Sequence, residues 1–149
     1  MTAKDVGKKL IDTFKRGGKC LICGNGGSSS MASHFAGELM CKYSKERVPL
    51  PAVALNDPAV ITAIGNDYGF AFVFRRQVEA LGKKEDCLIT LTTSGKSPNI
   101  IWAEDKAREI GMEVIRLPIN NQWRGTSKTQ ETQLKMIHDI CGIVEEAFV

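Results

Sequence analysis

Apolar residues at Val6, Leu10, Ile11 and Phe14 recur with the period of one helix face, which predicts a helix over 4–16. Gly17 and Gly18 then stop it, because glycine tolerates the left-handed conformation of a helix end. "KCLICG" follows as a short continuous apolar run, the pattern of a strand covered on both faces. Met31, Phe35, Leu39 and Met40 mark one side of a second helix over 28–42, and "VPLPAVALN" is a second strand. Asn56 and Asp57 offer a cap before Pro58, and 58–80 reads as two helical pieces broken at "GNDYG". "DCLITLTTSG" is the third strand, leading to a helix over 98–109 that Gly111 ends, and "MEVIRLP" is the fourth. Leu134, Ile137, Ile140, Val144 and Phe148 place a last helix over 130–148. Strands alternating with helices imply an α/β fold, a three-layer α/β/α sandwich around a parallel sheet.

With 149 residues and no linker or repeat, the chain reads as one domain over 1–149. Such a domain buries roughly 68–70% of the surface its unfolded chain exposes. The net charge is only +3, with Lys and Arg scattered rather than blocked. That argues against nucleic acid as a partner, which leaves a basic stripe as its footprint. No run approaches the roughly 18 apolar residues of a membrane span, and the start has no signal-peptide core, so the expected location is cytoplasmic. Five cysteines are an odd count and suit no disulfide framework. Cys20 and Cys23 form a C-x-x-C, but inside a strand rather than at a helix start, which speaks against redox or metal use.

Candidate chemistry gathers at two strand ends, "GNGGSSS" after the first and "TTSGKS" after the third. Glycines let backbone amides approach a ligand, hydroxyls donate hydrogen bonds, and the helix N-terminus that follows favours negative charge. Neither loop has the Walker or the G-x-G-x-x-G spacing. His34 and Glu38 share a helix face at i and i+4, a spacing equally at home in a surface pair or in a site. The only other histidine, His138, lies in an apolar helix about two turns beyond Gln130.

Four stretches together, "GNGGSSSMASHFAGEL" (24–39), "AIGNDYGF" (63–70), "TTSGKSPNII" (92–101) and "TQETQLKMIH" (129–138), resemble the sugar isomerase (SIS) domain family and, within it, the phosphoheptose isomerases. The resemblance implies conversion of sedoheptulose 7-phosphate to D-glycero-D-manno-heptose 7-phosphate through an enediol, in heptose supply for surface polysaccharide. It implies Glu38 and His138 as the catalytic pair and Thr92, Thr93, Ser94 and Ser97 as the phosphate turn. Asn25, Gly26, Gly27, Asn66, Asp67 and Gln130 match further substrate positions. His34, Glu38, Gln130 and His138 match the positions that hold one zinc ion per subunit in some members. A homotetramer, with neighbouring chains completing each site, is implied as well.

The chain departs from the family in its late start and in the direct continuation of "MEVI" into "RLP", where members carry a further stretch before a fifth strand. This contiguity reads more readily as two segments joined than as a lost interior strand, which would uncover core. The alternative function is a non-catalytic SIS protein that binds a replication initiator or senses a sugar phosphate. Glu38 and His138 together favour the enzyme.

Overall fold

The computed structural model describes residues 1–117 and 125–149. Its elements run α1 (Ala3–Lys15), β1 (Cys20–Gly24), α2 (Gly27–Met40), β2 (Ala52–Ala54), α3 (Pro58–Tyr68), α4 (Arg75–Leu81), β3 (Cys87–Leu91), α5 (Pro98–Ile110), β4 (Glu113–Arg116) and α6 (Thr126–Glu146). The four strands pair in parallel in the order β2-β1-β3-β4. All five residues of β1 and of β3 are buried, as their unbroken apolar runs require of central strands with helices on both faces.

Alternation along the strands divides the core. Cys20, Ile22, Ile89 and Ile115 face α1, α2 and α6, where Leu10, Phe35 and Ile140 pack. Leu21, Cys23 and Leu88 face the other layer with Val78, Ile100 and Ala103. Cys20 and Cys23 therefore sit on opposite faces of the sheet and cannot chelate one ion, and burial pushes both thiols up in pKa.

Two elements differ from the sequence expectation. α6 begins at Thr126 rather than 130, because its first turn is polar and carries no apolar period. α3 runs through Gly65, Asn66 and Asp67 and is broken only at Gly69, whose φ of +96° takes the chain out of the helix. None of its residues is buried, although Ile61 and Ile64 lean on the second core. β4, by contrast, is the strand expected of "MEVIRLP", running through Ile115 and Arg116 at the sheet edge, with Ile115 and Leu117 buried. Pro118, the expected end of that run, lies outside the described residues. Among the described residues no helix is long and apolar enough to cross a membrane.

Candidate active site

Register brings the two polar loops together. Gly24 pairs with Leu91, so the chains leaving β1 and β3 emerge side by side where the strand order reverses. Open α/β sheets bind ligands at that switch point. Asn25, Gly26, Gly27 and Gln130 line a cavity of about 240 Å³ there, together with Thr92, Thr93, Ser94 and Ser97. Eight predicted positions from three elements thus share one concavity.

Its walls are built by local chemistry. Gly26 holds φ +56°, a conformation suited to glycine, and its carbonyl with that of Asn25 accepts from the first amides of α2, which starts the helix at the cavity wall. A Cβ on Gly27 would stand 2.7 Å from Gln130 Nε2, so a larger residue there would push the end of that α6 side chain off this loop. Thr92 Oγ1 accepts from the Gly95 N–H at 3.0 Å and Ser94 Oγ from the Lys96 N–H at 3.1 Å, which curls the turn on itself.

Three contacts that the motifs did not announce fix the turn. Asn25 and Asn99 exchange amide hydrogen bonds, Nδ2 to Oδ1, at 2.9 and 2.8 Å, tying the two loops together. Gln133 Nε2 donates to the Thr92 carbonyl at 3.0 Å from α6. Arg116 Nη1 donates to the Gly95 carbonyl at 3.3 Å, while its Nε and Nη2 grip Glu104 at 2.9 and 2.7 Å. Burial works to raise the Glu104 pKa, but Arg116 and the Thr90 hydroxyl hold it below the ordinary value. Each partner is far away in the chain, which is why no local pattern marks it.

A second cluster lies further along the same helix pair. His34 and Glu38 of α2 meet His138 of α6: His34 Nε2 is 3.0 Å from Glu38 Oε1 and 3.0 Å from His138 Nε2, and His138 Nε2 is 3.6 Å from Glu38 Oε1. Tyr43 stacks on the His138 ring with centroids 5.9 Å apart. Glu38 Oε2 is buried and has no hydrogen-bond partner among the described residues. Burial, and then the adjacent Glu38 carboxylate, push the Cys141 thiol up in pKa.

Among the described residues this trio is the one group of His, Cys, Asp or Glu side chains arranged to hold a metal ion. Tetrahedral zinc with bonds of about 2.0–2.1 Å has donor–donor edges of about 3.3–3.4 Å. The separations of 3.0, 3.0 and 3.6 Å bracket that edge, so the donor set fits such an ion. Gln130 stands toward the anion cavity, eight positions and about 12 Å of helical rise before His138.

Asn66 and Asp67 are not brought to either cluster. They sit exposed on the last turn of α3, where Asn66 Nδ2 donates to Asp67 Oδ1 at 2.9 Å. Val60, Tyr68 and Phe70 are exposed on the same segment.

Comparison with known proteins agrees with this fold. The model described as "SIS domain" matches residues 3–118. The Campylobacter jejuni protein phosphoheptose isomerase 1 is 46% identical over 160 aligned positions, covering 96% of this chain and 85% of that protein. A Helicobacter pylori (strain P12) phosphoheptose isomerase is 45% identical over 154, with coverage of 93% and 80%. Both spans exceed the 149 residues here, so these relatives carry residues that this chain lacks. The structure of a phosphoheptose isomerase from Francisella tularensis superposes with a TM-score of 0.89 at 37% identity, covering 97% of this chain and 85% of that one. That of the Neisseria gonorrhoeae enzyme gives 0.86 at 35% with the same coverage. The chain therefore belongs to the SIS domain family and, within it, to the phosphoheptose isomerases.

Proposed function

We propose that this chain interconverts sedoheptulose 7-phosphate and D-glycero-D-manno-heptose 7-phosphate, supplying a heptose precursor for surface polysaccharide. The observation that carries the reading is the spacing of the two clusters along α2 and α6. Gly27 and His34 are separated by about 10 Å of helical rise, as Gln130 and His138 are by about 12 Å. An extended chain of seven carbons ending in a phosphate ester spans about 10 Å on bonds of about 1.5 Å. Phosphate in the Thr92–Ser97 turn thus leaves C1 and C2 beside Glu38 and His138.

Aldose–ketose isomerisation moves one proton between C1 and C2 and another between their oxygens. Glu38 serves as the carbon base through Oε1, the oxygen that faces the two histidines, while Oε2 is closed off from solvent. His138, held under the Tyr43 ring, serves the oxygens. Ser94, Thr93 and Ser97 hydroxyls, with amides of the turn, hold the phosphate, and Asn25, Gly26 and Gly27 line the path of the sugar. His34, Glu38 and His138 would hold zinc, which when bound would supply a Lewis acid for the substrate carbonyl, whereas Gln130, expected as a fourth ligand, lines the anion cavity instead.

A homotetramer gives the remaining candidates a place. Asn66 and Asp67 lie on an apolar helix with no buried residue, and covering that helix with a second copy delivers them to the neighbour's cavity. Binding without catalysis has less in its favour, because it makes no use of the Glu38–His138 pair. Incubation with sedoheptulose 7-phosphate tests the proposal: the aldose 7-phosphate should accumulate to an equilibrium mixture. A ketose recovered unchanged overturns it.

A further inference from the structure

We infer that the buried Arg47–Glu145 pair is a positioning device that sets Glu38 against His138; this rests on the isomerase reading above. The pair is almost fully enclosed, with side chains 1% and 2% exposed and Arg47 Nε 3.7 Å from Glu145 Oε1. That Nε has no hydrogen-bond partner among the described residues, so the carboxylate is its compensation.

From this centre three contacts run to the site. Arg47 closes the end of α2: its Nη1 donates to the carbonyls of Leu39, Cys41 and Val48 at 2.8, 3.3 and 2.9 Å. Its Nη2 donates at 2.7 Å to the carbonyl of Glu38 itself. Glu145 stands on α6 two helical turns beyond His138, hence on the same face. Its carboxylate accepts from the N–H groups of Tyr43, Ser44 and Lys45 at 2.8, 2.8 and 2.9 Å, and from the Ser44 hydroxyl at 2.9 Å. The chain so gripped carries the Tyr43 ring that stacks on His138.

Stability does not by itself call for charges at this seam. Well-packed apolar side chains of similar volume can join two helices as firmly as a buried ion pair. What the pair adds is direction, since forked donors and a carboxylate fix the α2 terminus, the 41–47 loop and α6 to one register.

Turnover of sedoheptulose 7-phosphate by Glu145→Gln, Arg47→Lys and the double variant Arg47→Met/Glu145→Gln tests this. The double variant removes both charges, so that no ion is left buried alone. A displacement near 1 Å at the reacting atoms is worth about 100-fold. All three variants should lose kcat on that order while KM, set at the distant phosphate turn, stays within about twofold. In the double variant the melting temperature should recover and kcat should not. If kcat recovers with the melting temperature, the pair is only structural and the inference falls. Absence of turnover in the wild type would count against the proposed function alone. A crystal structure of the double variant then decides: Glu38 and His138 drawn apart, with Tyr43 off the ring, supports positioning, and an unchanged 3.6 Å separation overturns it.

Discussion

Glu38 Oε1 stands 3.6 Å from His138 Nε2 across the α2–α6 seam, and the second Glu38 oxygen is buried with no donor. A buried carboxylate oxygen ordinarily finds a partner, since an unmade hydrogen bond costs about 1–3 kcal/mol. That oxygen is closed to solvent, so a substrate carbon acid or a metal ion would meet Oε1, the one that faces both histidines.

Asn25 and Asn99 satisfy each other, so removing one leaves the other unpaired. Asn99, only 3% exposed, should on replacement by Leu cost about 1–3 kcal/mol. Urea unfolding should show this as a lower midpoint at unchanged slope. A midpoint equal to wild type would mean that water or rearrangement replaces the amide pair.

Ser94 tests the phosphate turn. Ser94→Ala should weaken binding of the sugar phosphate by roughly 1.5–3 kcal/mol, the worth of a hydrogen bond to a charged group. Calorimetry with the unphosphorylated sugar should show a much smaller loss. Equal losses for the two ligands would move the phosphate elsewhere.

Zinc should raise the melting temperature, because an ion that binds only the folded chain adds about 2.7 kcal/mol at 100 times its Kd. His34→Ala removes one donor of the trio and should remove most of that gain without lowering the metal-free melting temperature. A zinc-induced rise that survives the substitution would place the ion outside this trio.

β1 and β3 were legible because they are buried on both faces and read as unbroken apolar runs. The two ligand loops were legible because glycines and hydroxyls cluster at those strand ends. Glu38 was not: at i+4 from His34 it reads equally as a surface pair, and only the resemblance to the SIS family singled it out. Asn99, Gln133, Arg47 and Glu145 escaped because each acts through a partner on another element, which no local period encodes. α3 was misread at its break because Gly65 is tolerated inside a helix, whereas Gly69 takes a positive φ.

Acid should loosen the α2–α6 seam. Burial works to raise the Glu145 pKa, but the N–H groups of Tyr43, Lys45 and Ser44 with the Ser44 hydroxyl hold it at about 2, against an ordinary 4.5. A depressed folded-state pKa contributes stability that is complete above the unfolded value and lost as pH falls through the folded one. Thermal stability should thus decline between about pH 4.5 and 2, and Glu145→Gln should flatten part of that decline. Asp86 and Glu104, also held low, keep the remainder. Identical slopes for the two proteins would remove Glu145 from the account.

The most direct measurement is solvent-deuterium exchange during turnover of sedoheptulose 7-phosphate by wild type and Glu38→Gln. The substitution keeps shape and neutral hydrogen bonding but removes the basic oxygen, while the phosphate turn is untouched. Turnover and deuterium incorporation should fall together by roughly 10²–10⁴-fold, the worth of a positioned acid or base, with substrate still bound. Turnover and exchange within a few-fold of wild type would contradict Glu38 as the base.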